Sequence, residues 1–201
     1  MLGTSKDIKN PGLNILPPGV ERHIVNGGGL TAFQIFPDDE IEIINDEGNQ
    51  ICEIICFNKD GKSELGILNL KENSQKNFIR DILNRKDETI LATNYQLKKR
   101  NLNIKESKSS IVFDLDTKAE EKIKLKSKDK CYAIFAAPGE DMDVTKQNPP
   151  TDLTIFIKRA KVINDKELSV IPDPVFEPLY EENIDKETST SYQVKEGDYI
   201  Q

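Results

Sequence analysis

The sequence has no tryptophan, two methionines, one histidine and three cysteines among 201 residues. Three cysteines are an odd number, which fits free thiols in a reducing compartment rather than a disulfide framework, so we expect a cytoplasmic protein. No stretch approaches the ~18 continuous apolar residues of a membrane-spanning helix. Residues 1–11 also lack the apolar core of a signal peptide. We therefore expect no membrane partner.

An excess of basic residues is also missing, since 28 Lys and Arg face 35 Asp and Glu for a net charge of −7. A general nucleic-acid binder needs a basic face for phosphate contacts, so we expect no nucleic-acid partner. Two Lys-rich stretches, residues 98–100 and 122–130, are interpreted as solvated strand faces and turns.

Short apolar runs bounded by turn residues predict a mainly β fold, either a barrel or a sandwich of short strands with one or two short helices. The run at 20–25 is expected to be an edge strand, and the Gly-containing turn at 45–49 predicts a hairpin between the runs on either side of it. The predicted strands are residues 20–25, 31–36, 40–44, 51–57, 89–93, 110–115, 121–125, 131–136 and 153–157.

The best helical pattern is SQKNFIRDILNR, residues 74–85. Ser74 is a suitable N-cap, and one apolar stripe follows at helical spacing. The stripe consists of Phe78, Ile79, Ile82 and Leu83.

The last twelve residues repeat an earlier strand–turn–strand segment. TSYQVKEGDYIQ, residues 190–201, aligns without a gap on TAFQIFPDDEIE, residues 31–42, and every apolar position is kept. Residues 171–189 are rich in Pro and acids, as linkers are. We therefore expect a β domain at 1–170, a linker at 171–189 and the start of a second, truncated repeat at 190–201, which makes this chain the N-terminal part of a longer polypeptide.

DDEIEIINDEGNQICEIICFN, residues 38–58, resembles the entry motif of the urea carboxylase-associated domain family, a domain of unknown function. Gly48 and Gln50 match the motif, Glu53 stands where the family usually has Asp, and Phe57-Asn58 closes the strand. The arrangement is similar to the N-terminus of bacterial aminomethyltransferases of the glycine cleavage T type.

The resemblance implies an N-terminal accessory or binding module of a folate-dependent aminomethyltransferase that is not catalytic by itself. The chemistry would lie in downstream domains of the same polypeptide, which bind tetrahydrofolate for one-carbon transfer. The resemblance implies no cofactor within this chain. A small amine ligand is expected at the turn, where Gln50 offers donors and an acceptor and Glu53 an acceptor. The candidate ligand-binding residues are Gly48, Asn49, Gln50 and Glu53; the alternative is that Asn49 and Gln50 only satisfy backbone groups in a tight turn.

Metal-binding residues are sparse, and no catalytic residue is predicted. Zinc sites of the N/S type need three or four converging ligands. Cys52, Cys56 and Cys131 are the weak candidates, and we interpret them as small buried side chains. His23 is interpreted as a partly exposed strand residue, and the acidic residues 138–143 as a solvated turn.

Two other functions remain open at this stage. One is a small metal-dependent enzyme acting on a urea-like or guanidine-like compound, and the other is a ligand-free β interaction domain. A filled core around Gln50 and Glu53 would favour the interaction domain.

Overall fold

The computed structural model describes residues 16–17, 19–74, 76–139 and 149–161, with the side chains of 88–89 left aside. Eight strands form two antiparallel four-stranded sheets. The first sheet has the order β1-β8-β3-β6 and the second the order β2-β7-β4-β5. The strands are β1 Val20–Val25, β2 Leu30–Ile35, β3 Glu40–Asn45, β4 Cys52–Asn58, β5 Ser109–Phe113, β6 Glu121–Lys126, β7 Cys131–Ala136 and β8 Leu153–Lys158.

The main core lies between the two sheets. Ile41 and Ile43 of β3 share it with Ile54 and Cys56 of β4 and with Phe135 of β7. Strand β6 has one buried and one solvated face, because Leu125 is buried while the lysines on either side of it are exposed. The mainly β prediction is confirmed, and the architecture is a sandwich with no closed barrel among the described strands.

A helical layer covers the outer face of the second sheet. Helix α1 is Phe78–Leu83 and helix α2 is Glu88–Lys99. Ile79 and Leu97 of these helices pack on Ile55 and Phe57, the odd-numbered residues of β4. Strand β4 is therefore buried on both faces, which explains its near-continuous apolar sequence.

The predicted helix at 74–85 is confirmed as α1, with shorter bounds and a different cap. The Asn77 side chain accepts a hydrogen bond from the Arg80 N–H at 2.9 Å, so Asn77 and not Ser74 is the N-cap. Asn and Ser cap about equally well, and Asn77 lies next to the first apolar residue of the stripe.

The strand predicted at 89–93 is wrong, because these residues belong to α2. Asp87 caps this helix by accepting from the Ile90 N–H at 3.0 Å. Ile90 and Leu97, two turns apart, anchor its buried face. Tertiary packing here overrides the strand preference of the β-branched residues.

The hairpin predicted between β3 and β4 is also wrong. Strand β3 pairs with β6 and β8, while β4 pairs with β5 and β7 in the other sheet. The turn at 46–51 thus carries the chain across the sandwich. The other eight predicted strands are confirmed, and β1 does lie at a sheet edge.

Several sequence predictions fall outside the described residues. These are the linker at 171–189, the repeat at 190–201 and residues 140–143 of the acidic turn. Within the described ranges, the helices are too short and too polar to cross a membrane.

Candidate functional site

The turn between β3 and β4 holds three of the four predicted ligand residues. Gly48 has φ +78°, and a Cβ added there would lie 2.6 Å from the Ala119 backbone nitrogen. Asn49 has φ +55° and donates its backbone N–H to the Thr117 carbonyl at 2.8 Å. Only glycine fits at position 48, because a side chain would be strained and would clash. The turn is therefore held tightly against the loop at 117–119.

Gln50 joins three segments of the chain through its side-chain amide. Its Nε2 donates to the carbonyls of Ile51 and Pro138, both at 2.9 Å. Its Oε1 accepts from the Thr151 N–H at 2.7 Å. The residue is buried, and its side-chain amide is hydrogen-bonded to backbone groups of the protein. A ligand would have to displace one of these hydrogen bonds to reach it.

Glu53 lies on the face of β4 that is covered by the helices. Its Oε2 accepts from the Ile79 N–H at 2.6 Å, at the first turn of α1. Burial raises the pKa of this carboxyl and the Asp81 charge adds to the rise, while hydrogen bonds from Ser109 and from the backbone offset it in part. Glu53 is fully buried and is committed to the helix, so the structure does not bring it to the turn surface with Asn49.

Two polar residues missed by the sequence analysis surround Gln50. Asn45 is fully buried and donates through Nδ2 to the Gln50 carbonyl at 2.8 Å. Its Oδ1, like the Thr151 hydroxyl oxygen, is buried without a hydrogen-bond partner among the described residues. These two atoms are open to a hydrogen-bond donor. Only the position of Asn45 at the start of a turn hinted at its role.

The three cysteines are free and fully buried in the main core. A hydrogen bond with Cys131 and burial raise the pKa of the Cys56 thiol, and burial raises that of Cys52. Metals bind the thiolate form, which these surroundings disfavour. Their interpretation as small core side chains agrees with this environment. Within the described ranges, no group of three His, Cys, Asp or Glu converges on a point.

A second polar cluster lies at the opposite end of the first sheet and centres on Arg159. Its Nε and Nη2 donate to the two oxygens of Glu21 at 2.7 and 2.9 Å, and its Nη1 donates to Asp39 at 2.7 Å. His23 lies 3.0 Å from Glu21 and stacks at a tilt on Phe33. The prediction that His23 is a partly exposed strand residue agrees with its 34% side-chain exposure.

Burial disfavours the charged forms of Glu21 and Arg159, but their pairing more than offsets this effect. Burial alone would raise the pKa of Glu21, but hydrogen bonds from His23 and Arg159 hold it at about 2. Burial would lower the pKa of Arg159, but Glu21 and Asp39 raise it above its usual value. The cluster ties β1, β8 and the β2–β3 turn together. The sequence offered no pattern for it, since its members are far apart along the chain.

The fold and these sites define a β-sandwich with a helical layer and a polar, hydrogen-bonded turn. No family model matches the chain. The chain is 32% identical over 194 residues to trimethylamine-oxide aldolase of Ruegeria pomeroyi, an enzyme named for an amine compound. This alignment covers 96% of the chain but 24% of that enzyme, so the chain spans about a quarter of the relative's length.

A solved structure of a DUF1989 family protein from Silicibacter pomeroyi is also similar, at 12% identity and a TM-score of 0.40. The similarity covers 78% of this chain and 83% of that one. Neither protein's name refers to urea carboxylase or to the glycine cleavage T protein. The resemblance to that arrangement therefore stays a prediction.

Proposed function

We propose that this chain is a module of a longer enzyme that acts on a methylated amine compound such as trimethylamine oxide. The observation that carries the proposal is the 32% identity to trimethylamine-oxide aldolase across 96% of the chain. Because the chain corresponds to only a quarter of that enzyme, the enzyme has ample length for further domains.

Within the longer enzyme, this chain binds a ligand or positions the other domains, and those domains carry out the chemistry. The support is local: the Gln50 side-chain amide and Oε2 of Glu53 are hydrogen-bonded to the backbone of the sandwich and of α1. The sequence resemblance adds a tetrahydrofolate-binding domain farther along the polypeptide. Cleavage of trimethylamine oxide to dimethylamine and formaldehyde balances in atoms, and a folate domain would take up the one-carbon product.

The first experiment compares the complete polypeptide with residues 1–201 alone. Both are incubated with trimethylamine oxide, and substrate loss and formaldehyde release are measured. We expect turnover by the complete polypeptide and none by residues 1–201. Turnover by 1–201 alone would show that the chain carries the chemistry, and no turnover by the complete polypeptide would overturn the substrate assignment.

A ligand-free interaction domain is the second candidate, and the burial of Gln50 and Glu53 favours it. The two candidates differ at Asn49, which is exposed while the other three candidate ligand residues are buried. If this module binds an amine, its signals at 48–50 should shift when trimethylamine oxide or dimethylamine is added to 1–201 in an NMR titration.

A matched pair of variants makes this titration specific. Asn49 and Asn69 both have left-handed backbone conformations, with φ of +55° and +59°. Glycine adopts this conformation without strain, so both Asn→Gly variants should fold. Amine binding at the turn predicts that Asn49→Gly abolishes the shifts and Asn69→Gly keeps them. If neither amine shifts the signals of the unaltered chain, amine binding at the turn is ruled out and the interaction-domain candidate is favoured.

A further inference from the structure

Helix α2 presents an apolar pair to solvent. Leu91 and Tyr95 are 52% and 40% exposed, and they are two of the four large apolar side chains that are exposed among the described residues. They lie one turn apart and therefore on the same face of the helix. The opposite face is anchored in the helical layer by Ile90 and Leu97. This exposed face, Leu91 with Tyr95, is called the α2 face below.

Two basic side chains lie at the C-terminal end of the α2 face. Lys98 and Lys99 follow Tyr95 at helical spacing, and both are exposed. At the other end, Arg85 and Lys86 are followed by Asp87 and Glu88, so that end has no net charge. An apolar pair followed by two lysines suits an extended partner in which acidic residues follow an apolar stretch.

We propose that residues 173–182 of the same chain, DPVFEPLYEE, dock on the α2 face. This segment contains four acids and no Lys or Arg. Between its acids lie four large apolar residues, Val175, Phe176, Leu179 and Tyr180. Its charge and its apolar centre are complementary to the α2 face.

The described chain ends at a position from which this segment can reach α2. Arg159, just beyond β8, donates to the Gln34 carbonyl at the end of β2. Strand β2 reaches the end of β4 through β7, a separation of two strands or roughly 10 Å. The loop after β4 accepts at Gly61 from the Asn103 N–H, just beyond the C-terminus of α2. Lys161 and the C-terminus of α2 therefore lie at the same end of the sandwich.

The chain between these points is long enough. Eleven residues, 162–172, separate Lys161 from the segment at 173–182, and an extended chain of that length spans up to ~40 Å. Prolines at 172, 174 and 178 also restrict the free chain. Docking therefore costs less conformational entropy than it would for a Gly- or Ser-rich tail.

The test places a nitroxide label beside the segment and measures which amide signals it broadens. Asn183→Cys supplies the attachment point, and the three native cysteines are fully buried, so the label attaches selectively. We expect broadening at Leu91, Tyr95 and their neighbours, relative to the same sample with the label reduced. Amides of β6, on the far sheet, serve as the internal reference.

Two variants of exposed residues serve as test and control. The double variant Leu91→Asp, Tyr95→Asp should abolish the broadening of α2. The control Leu115→Asp, at another exposed apolar residue, should leave it unchanged. Raising the salt concentration should weaken the broadening, since the flanking charges are exposed.

Three results would overturn the proposal. The first is broadening in α2 no greater than in β6, and the second is broadening that survives the double Asp variant. The third is broadening of isotope-labelled chains by nitroxide on separate, unlabelled chains, which would make a second copy the occupant. None of these results bears on turnover of trimethylamine oxide, so the docking proposal and the proposed function fail separately.

Discussion

Arg159 and Asp39 form a buried ion pair, with 2.7 Å between Nη1 and Oδ2 and side-chain exposures of 9% and 1%. Asp39 also accepts from the N–H groups of Phe36 and Ala160. These donors hold the Asp39 carboxylate in place, and the β2–β3 turn is held with it. The pair therefore links the end of β8 to the turn that connects the two sheets.

Removing the guanidinium should destabilise the protein strongly. Arg159→Met leaves Asp39 buried without its counter-charge, which typically costs about 3–5 kcal/mol. Lys158→Met is the matched control, because Lys158 pairs with Glu40 at 3.3 Å with both side chains more than half exposed. Exposed pairs contribute about 0–1 kcal/mol. Urea unfolding measures the free energy of unfolding of both variants. Equal decreases would show that the buried Arg159 pair stabilises the fold no more than the exposed Lys158 pair.

Acid should remove the contribution of Glu21. Its folded pKa of about 2 lies below its ordinary value of 4.5, so its contribution is complete above pH 4.5 and disappears as the pH falls toward 2. We expect a contribution on the order of 2 kcal/mol at neutral pH. The free energy of unfolding of Glu21→Gln, compared with the unaltered protein between pH 7 and pH 2.5, measures it. The difference between the two should shrink with acid, and a constant difference would contradict the assignment.

Glu53 should show the opposite sign. Its pKa is raised in the folded state, so its ionisation reduces stability as the pH rises above 4.5 toward the folded pKa. Glu53→Gln keeps an acceptor for the Ile79 N–H and removes the charge, so we expect it to gain stability relative to the unaltered protein as the pH rises. Glu53→Ala leaves that N–H without its acceptor and should cost about 1–3 kcal/mol. Denaturation at pH 4 and pH 7 distinguishes the two variants; equal losses for Gln and Ala would refute this view.

Gly48→Ala should destabilise the turn. The new Cβ would meet backbone atoms at 2.6 Å in a left-handed conformation, and we expect a loss of about 2 kcal/mol or more. Gly66→Ala is the control, since a Cβ at that position meets nothing within 4 Å. Thermal unfolding reports both changes. Similar melting temperatures for the two variants would show that the turn accommodates a Cβ at position 48 without loss of stability.

The strands were predictable because each is a short run of apolar or alternating residues between turns, and this local pattern is kept in the fold. Sheet membership was not, since the turn at 46–51 looks like a hairpin turn although it crosses the sandwich. Helix α2 was missed because its first residues are β-branched. The Asp87 cap and the spacing of Ile90 and Leu97 were the available signals for it.

The sequence named residues of the β3–β4 turn but not their partners. Gly48 and Gln50 were singled out from the sequence as candidate ligand residues, but the partners that hydrogen-bond the Gln50 side chain are about 90 and 100 positions away. Glu53 was paired with Gln50 because both lie near one turn, whereas strand alternation turns it toward α1. The Arg159 cluster depends on partners up to 138 positions apart, a separation at which a single sequence carries no signal.

The pairing of β1 with β8 has a consequence for how this sandwich can be rearranged. Val20 lies opposite Lys158, and the Arg159 N–H donates to the Gly19 carbonyl at 2.8 Å. The chain thus enters and leaves the sandwich at one corner. A short peptide joining residue 161 to residue 19 would close the ring with little strain, and the exposed Lys59–Asp60 turn could then supply new termini. By the same geometry, the sandwich can be inserted into a surface loop of another protein without separating the two ends of that loop.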